Sequence, residues 1–201
     1  MTTVIDLDEG LRARKKRETR HALHRAAIEL LHEGDFCDVT VDAIAARAGV
    51  SPRTFFNYFP AKEHALTGSD PDMVERARAL MAARPDDEDT VTAVRAVTLT
   101  RLREMIADPD LWRMRRAVSK RHPELAAGLV GANALADKAV AEVAATRLGV
   151  DPAVDVAPMA LAYAALGAIR AALQQHVTAG FKGSVEDRID MALTAAGLWP
   201  R

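Results

Sequence analysis

The sequence predicts an all-α protein of about nine helices, and three observations carry that expectation. Of the 201 residues, 49 % are hydrophobic and only 4 % aromatic, with few β-branched runs. The apolar residues recur at three- and four-residue spacing, without the alternation that a half-buried strand requires. Capping residues and prolines mark helix starts at Thr40, Ser51-Pro52, Thr90, Asp108-Pro109, Pro123, Asp151-Pro152 and Ser184. A chain of this length can bury a sizeable core in one or two domains.

Residues 1–10 read as an acidic, flexible N-terminus. Arg12, Arg14, Lys15, Lys16, Arg17 and Arg20 follow, opposed only by Glu18. Such a burst is either a solvated helix face or an arm, built on Arg14, Lys15 and Lys16, that follows phosphates or enters a minor groove. The first helix then runs to about Glu33 with Leu23, Ala26, Ala27, Leu30 and Leu31 on one face, and Gly34 ends it. His21 and His24 stand three apart but have no third ligand nearby, so no metal site is expected and both read as surface histidines. Cys37 is the single cysteine, which excludes an intramolecular disulfide and a cysteine metal cluster; beside Phe36 it reads as a small filler.

Thr40 to Lys62 carries the most information. Thr40 caps a helix with Asp42 in its first turn and an apolar stripe of Val41, Ile44, Ala45 and Ala48. Gly49 supplies a left-handed turn, and Ser51 with Pro52 starts a second helix at once. On that second helix Phe55 and Phe59 fall on one face and Arg53 and Asn57 roughly opposite. Arg fits guanine O6/N7 and Asn fits adenine N6/N7, each discriminating by about 1 to 3 kcal/mol. Two short helices joined by a glycine turn form a helix-turn-helix, whose second helix enters the major groove.

Ile44-Ala45, Ala48-Gly49-Val50-Ser51, Thr54, Tyr58-Phe59, Lys62-Glu63 and Leu66, at this spacing, resemble the helix-turn-helix of the TetR (tetracycline repressor) family of bacterial transcription regulators. The resemblance implies that Thr40 and Lys62 hold phosphates, and that Ser51, Arg53, Thr54, Asn57 and Tyr58 lie at the groove. Phe56 stands where the family usually has a tyrosine, so a phenolic donor to phosphate is lost and ring contact, as with a thymine methyl, remains. The segment SPRTFFNYFPAKE and the layout after it are similar to a TetR subgroup with acyl-CoA-like ligand-binding C-terminal domains.

The expected division is a DNA-binding head at 11–66 and a helical ligand-binding and dimerisation domain at 67–201, with the fourth helix as connector. Residues 11–66 hold ten Lys/Arg against seven Asp/Glu, and the rest seventeen against twenty-one. That asymmetry suits a basic head on a mildly acidic body. Asp70 reads as a cap and Pro71 as a restart, followed by helices near 73–83, 90–106, 109–121, 123–148, 152–178 and 184–197. The helix holding Met159 to Ile169 is apolar nearly all round and needs cover on both sides. By the family resemblance the last two long helices form a four-helix bundle with a second subunit, a homodimer that reads a palindromic operator in double-stranded DNA.

The same resemblance implies a small-molecule effector, an acyl-CoA or another hydrophobic ligand. Trp112 and Tyr163 are apolar candidates for its site, and Arg113, Arg116 and Arg170 polar ones; for Arg170 a protein carboxylate or the dimer rim is favoured over an anionic ligand. Arg115, Lys120 and Arg121 extend the basic cluster, which could also be a solvated face. No cofactor is expected, and no catalytic constellation, phosphate loop or nucleotide fingerprint points to an enzyme. The longest apolar run, Val156 to Ile169, is too short to span a bilayer, and no signal peptide is recognisable, so a cytoplasmic protein is expected. A protein partner in place of the small ligand, or no effector, is the alternative; a small helical enzyme is the remote one.

Overall fold

The computed structural model describes residues 10–198; the expected flexible N-terminus lies almost entirely outside them. Ten α-helices are formed: α1 (Leu11–Glu33), α2 (Val41–Arg47), α3 (Pro52–Phe56), α4 (Lys62–Thr67), α5 (Met73–Ala82), α6 (Thr90–Ile106), α7 (Pro109–Arg121), α8 (Ala126–Leu148), α9 (Ala157–Thr178) and α10 (Val185–Ala195). A 3-10 turn, Pro123–Leu125, precedes α8, and no strand occurs among the described residues. The described residues divide into two compact units, 10–71 with 105–133 and 72–104 with 134–198.

In the first unit, Leu23, Ala27, Ile28 and Leu31 of α1 are buried against Ile44 and Ala45 of α2, Phe55 of α3, Phe59, Leu66 of α4, and Leu111 and Val118 of α7. The motif segment therefore shares one core with α7. Polar ties reinforce the packing: Arg25 of α1 pairs with Asp108, whose other oxygen caps α7 by accepting from the Leu111 N–H at 3.1 Å. At the other end of α7, Arg121 donates to the carbonyls of Leu31 and His32 at 3.3 and 2.9 Å. A Cβ on Gly128 would lie 2.7 Å from Cγ2 of Thr67, so the start of α8 passes the end of α4 at backbone distance.

In the second unit, α9 packs on α10, and Ala165, Ile169 and Ala172 of the first and Ile189 and Leu193 of the second are buried. Arg95 of α6 pairs with Asp190 of α10. Arg78 of α5 meets Glu142 of α8 at 2.7 Å, and Arg147 of α8 donates to the carbonyl of Glu88 at 2.6 Å.

Several local expectations change. Asp70 does not cap α5: Asp72 precedes Met73, and Asp70 is buried with its carboxylate 4.0 Å from Arg20. Helix α9 begins at Ala157, because Asp151 and Asp155 accept the N–H groups of Ala153 and Ala157 in two local turns. Cys37 is exposed, since the loop turns Phe36 rather than the thiol inward. His24 is not a surface histidine: it is 7 % exposed, and its Nδ1 donates to the Ala65 carbonyl of α4 at 2.5 Å. It sits on the buried arc with Leu23, Ala27 and Ile28, where α4 closes over it.

Burial first, and then the charge of Arg115, push the His24 imidazole down from 6.5 to about 3. Between those values the unfolded chain takes up a proton that the folded chain excludes. The neutral-His24 contribution is thus complete above pH 6.5 and falls by up to about 1.4 kcal/mol per pH unit as the medium is acidified toward pH 3. Urea unfolding measured from pH 7 to pH 4 is expected to show this loss, and His24→Gln, which keeps a donor for Ala65, to flatten the profile by one proton. An identical slope in both proteins would remove His24 from the acid response.

Candidate nucleic-acid interface

The interface is built from α2, the turn after it and α3. Thr40 caps α2 with Oγ1 accepting from the Ala43 N–H at 3.2 Å, and Asp42 lies in the first turn. Gly49 has φ of 71°, and the bond from the Val50 N–H to the Ala45 carbonyl closes the turn at 2.9 Å. Ser51 caps α3 by accepting the Thr54 N–H at 3.1 Å, with Pro52 beginning the helix. The Ser51 and Thr54 hydroxyls are 2.9 Å apart; one donates to the other, leaving a single hydroxyl hydrogen for an outside acceptor.

Helix α3 has only five residues, too few to hold a direction alone. Its orientation comes from Phe55 and Phe59, 0 % and 1 % exposed, with ring centroids 5.9 Å apart. Opposite them, Arg53 and Asn57 are exposed. Phe56 is 57 % exposed, with its ring edge-on to Phe55 at 5.5 Å. An apolar ring held outward beside a guanidinium and an amide makes a surface suited to base edges and a thymine methyl.

The basic residues sort into three kinds. Arg12, Arg14, Lys15 and Lys16 are exposed on the first two turns of α1, so the expected arm is helical from Leu11; Arg14 also faces Glu18 at 3.3 Å. Arg20, further along α1, turns inward: it donates to the Ser69 carbonyl at 2.9 Å, and its guanidinium lies 4.7 Å from the Phe59 ring centroid and 5.9 Å from that of half-buried Tyr58. Lys62 is half-buried and donates to the carbonyls of Phe36 and Val39, both at 2.8 Å, above the Phe36 ring. Two of its three N–H bonds therefore brace the loop leading to Thr40. Arg47 clamps α2 to α1 through two bonds to Glu33 at 2.9 and 2.8 Å. The roles of Arg20 and Arg47 escaped sequence reading; only their spacing from aromatic or acidic partners on other helices, invisible in one dimension, reveals them.

The residues read as ligand contacts separate into two sets. On α7, Trp112 is buried, whereas Arg113 and Arg116 are exposed and Arg113 meets Asp110 at 2.9 Å. On α9, Tyr163 and Arg170 share an outward face; Tyr163 is 57 % exposed and Arg170 pairs with Asp137 of α8. That pairing gives Arg170 a protein carboxylate as its partner in this chain. Among the described residues, no cluster of three or more His, Cys, Asp or Glu side chains could hold a metal ion.

Fold and surface together define a helix-turn-helix protein whose second motif helix is braced from beneath and open above. Residues 23–66 match the family described as bacterial regulatory proteins, tetR family, and residues 88–196, more than half of the chain, match the MftR C-terminal domain. The chain belongs to the tetR family of bacterial regulatory proteins. It is 38 % identical over 85 residues to the HTH-type transcriptional regulator TcmR of Streptomyces glaucescens, a stretch covering 42 % of this chain and 38 % of that one. It thus matches well under half the length of that curated relative. The fold is similar to that in the SmeT–triclosan complex, with a TM-score of 0.54 at 19 % identity over 90 % of this chain and 94 % of the other. It is also similar to that of the fatty acid degradation regulator FadR of Bacillus halodurans, with a TM-score of 0.52 at 18 % identity over 89 % and 94 %.

Alanine at Arg53 separates a base contact from a phosphate contact: a base contact is expected to cost about 1 to 3 kcal/mol on some duplexes and little on others, with thermal stability within about 0.5 kcal/mol. Competition binding against duplexes altered one position at a time checks this. A uniform loss on every duplex would assign Arg53 to phosphate instead.

Proposed function

We propose that this protein is a sequence-specific DNA-binding transcriptional regulator, a repressor that occupies a palindromic operator as a homodimer and leaves it when a small hydrophobic ligand binds. The observation carrying the reading is the exposed trio Arg53, Phe56 and Asn57 on a helix whose opposite face is locked by Phe55 and Phe59. Thr40, Ser51, Thr54, Tyr58 and the remaining N–H of Lys62 supply phosphate and groove contacts around it. Arg14, Lys15 and Lys16 extend the basic track along α1 and add affinity without selectivity. No described helix is long and apolar enough to cross a membrane, which suits a protein working on DNA in the cytoplasm.

Dimerisation is supported by the outward face of α9, where Ala160, Tyr163 and Gly167 are exposed at helical spacing, and by Met191 of α10, 68 % exposed. Small residues allow a partner helix to approach closely, and Tyr163 and Met191 provide apolar area. A twofold dimer presents two α3 helices to the two halves of a palindrome. Tyr163→Arg combined with Met191→Arg is expected to give a monomeric mass by light scattering at micromolar concentration and to weaken operator binding, with the head still folded. A dimeric mass in the double variant would remove this face from the interface.

The effector is proposed to be an acyl-CoA or a related hydrophobic molecule, with Trp112, Arg113, Arg116, Tyr163 and Arg170 as the residues to probe. The triclosan bound in the SmeT structure and the fatty acid degradation named for FadR, both of similar fold, support a hydrophobic ligand. Release follows if the ligand binds more tightly to the form that does not fit the operator. Selection of genomic duplex fragments at near-physiological salt, with Arg53→Ala/Asn57→Ala alongside, tests the DNA reading: a palindrome recovered by the native protein and lost by the variant is expected. Equal, consensus-free recovery by both would overturn it. With the operator in hand, acyl-CoAs are expected to raise the melting temperature and to release the duplex.

A further inference from the structure

Of the five phenylalanines, Phe55 and Phe59 are buried, Phe36 and Phe181 are partly covered, and Phe56 alone is exposed. A single apolar side chain at a surface is ordinary, but two features set this one apart. The first is how it is held. Its ring meets that of Phe55 edge to face, with centroids 5.5 Å apart and planes at 88°, and Phe55 in turn lies 5.9 Å from Phe59 at 41°. The outward ring is thus the end of a chain of three that begins in the core. A ring anchored in this way loses little freedom when something covers it.

The second feature is its company. Arg53 stands three residues before Phe56 on the same helix and Asn57 directly after it, both exposed. Residues three apart on a helix are surface neighbours, with about 5 to 6 Å between Cβ atoms. Arg53 can only donate hydrogen bonds, Asn57 can donate and accept, and the Ser51 and Thr54 hydroxyls, 2.9 Å apart, keep one hydrogen between them. Phe56 can do neither. Pressed against a base edge that carries a donor or an acceptor, the ring strips water from that group and returns nothing. Phosphate oxygens gain nothing from it either, since the face of the ring is itself negative. The apolar group on a major-groove edge is the methyl on C5 of thymine, and cytosine methylated at C5 carries the same group in the same place.

We propose that Phe56 is a methyl reader, so that this protein binds duplexes carrying a 5-methylpyrimidine at one position and responds to methylation of cytosine there. The inference rests on the DNA-binding reading above and names the class of DNA within it. Thymine and 5-methylcytosine cover the ring alike. Uracil and unmethylated cytosine leave it facing a gap where the methyl would sit, and the apolar contact is lost. Arg53 and Asn57 read hydrogen-bonding edges, whereas Phe56 reads a group that one methyl transfer adds to DNA without changing its pairing.

Selection by the full chain from mixed-sequence duplex pools tests this without a known operator. Three pools are used: one with thymine, one with uracil in its place, and one with uracil for thymine and 5-methylcytosine for cytosine. The duplexes retained from the thymine pool are expected to weaken about three- to tenfold for each covered methyl when remade with uracil, a comparison that needs no variant protein. Those retained from the third pool are expected to hold 5-methylcytosine where the first hold thymine. Phe56→Ala is expected to bind the thymine and uracil versions equally, while Phe56→Leu, apolar but less firmly held, keeps part of the preference. Equal binding of both versions by the native protein overturns the inference. So does a preference that persists in Phe56→Ala, which assigns the methyl to another group, or an equal loss on both versions in that variant, which places the ring on deoxyribose. A thymine pool that outbinds the uracil pool through Phe56, yet yields no shared sequence, supports the methyl reader and counts only against the sequence-specific regulator.

Discussion

The burial of Phe55 and Phe59 is the constraint on which the rest depends. Five residues cannot sustain an α-helix in water, and α3 makes little of its own stability. Phe55 of α3 and Phe59, three residues past its end, are essentially without solvent access in the core that α1 and α2 build, and anchor the helix there. Because a helix turns about 100° per residue, fixing those two rings fixes where Arg53 and Asn57 point. The exposed face thus begins in the core: Arg53 and Asn57 keep their places at the surface only while the aromatic residues are held.

Around that core, cations divide by what they serve. Arg20, Lys62 and Arg47 are used inside the head, over aromatic rings, on backbone carbonyls and against Glu33. They orient the loop before Thr40 and bind α2 to α1, so their charge is largely consumed in positioning. Arg14, Lys15, Lys16 and Arg53 keep their charge at the surface. A count of basic residues along the head therefore overstates the charge available to phosphates, and Lys62 shows how one side chain can brace a loop and still retain one N–H.

Much of the architecture was legible because it rests on local chemistry. Thr40 and Ser51 cap the helices read from them, Gly49 takes the left-handed turn, and Phe55 and Phe59 point inward as their spacing requires. Misreadings fell where a partner far along the chain decides. Asp70 looked like a cap, but Arg20, fifty residues earlier, draws it inward; His24 looked like a surface residue until α4 covered it. Arg170 was left between ligand and carboxylate, and Asp137 on the preceding long helix takes it.

Sequence alone determined the all-α class, the starts of the motif helices, and which residue types the second of them presents, because caps, turns and periodicity act within a few residues and depend on no other element. Only tertiary structure decided which cations are spent on positioning, which histidine is sealed from water, and that Arg170 meets Asp137. Those outcomes depend on desolvation and on distances between groups separated by tens of residues, quantities that exist only once the chain has closed on itself.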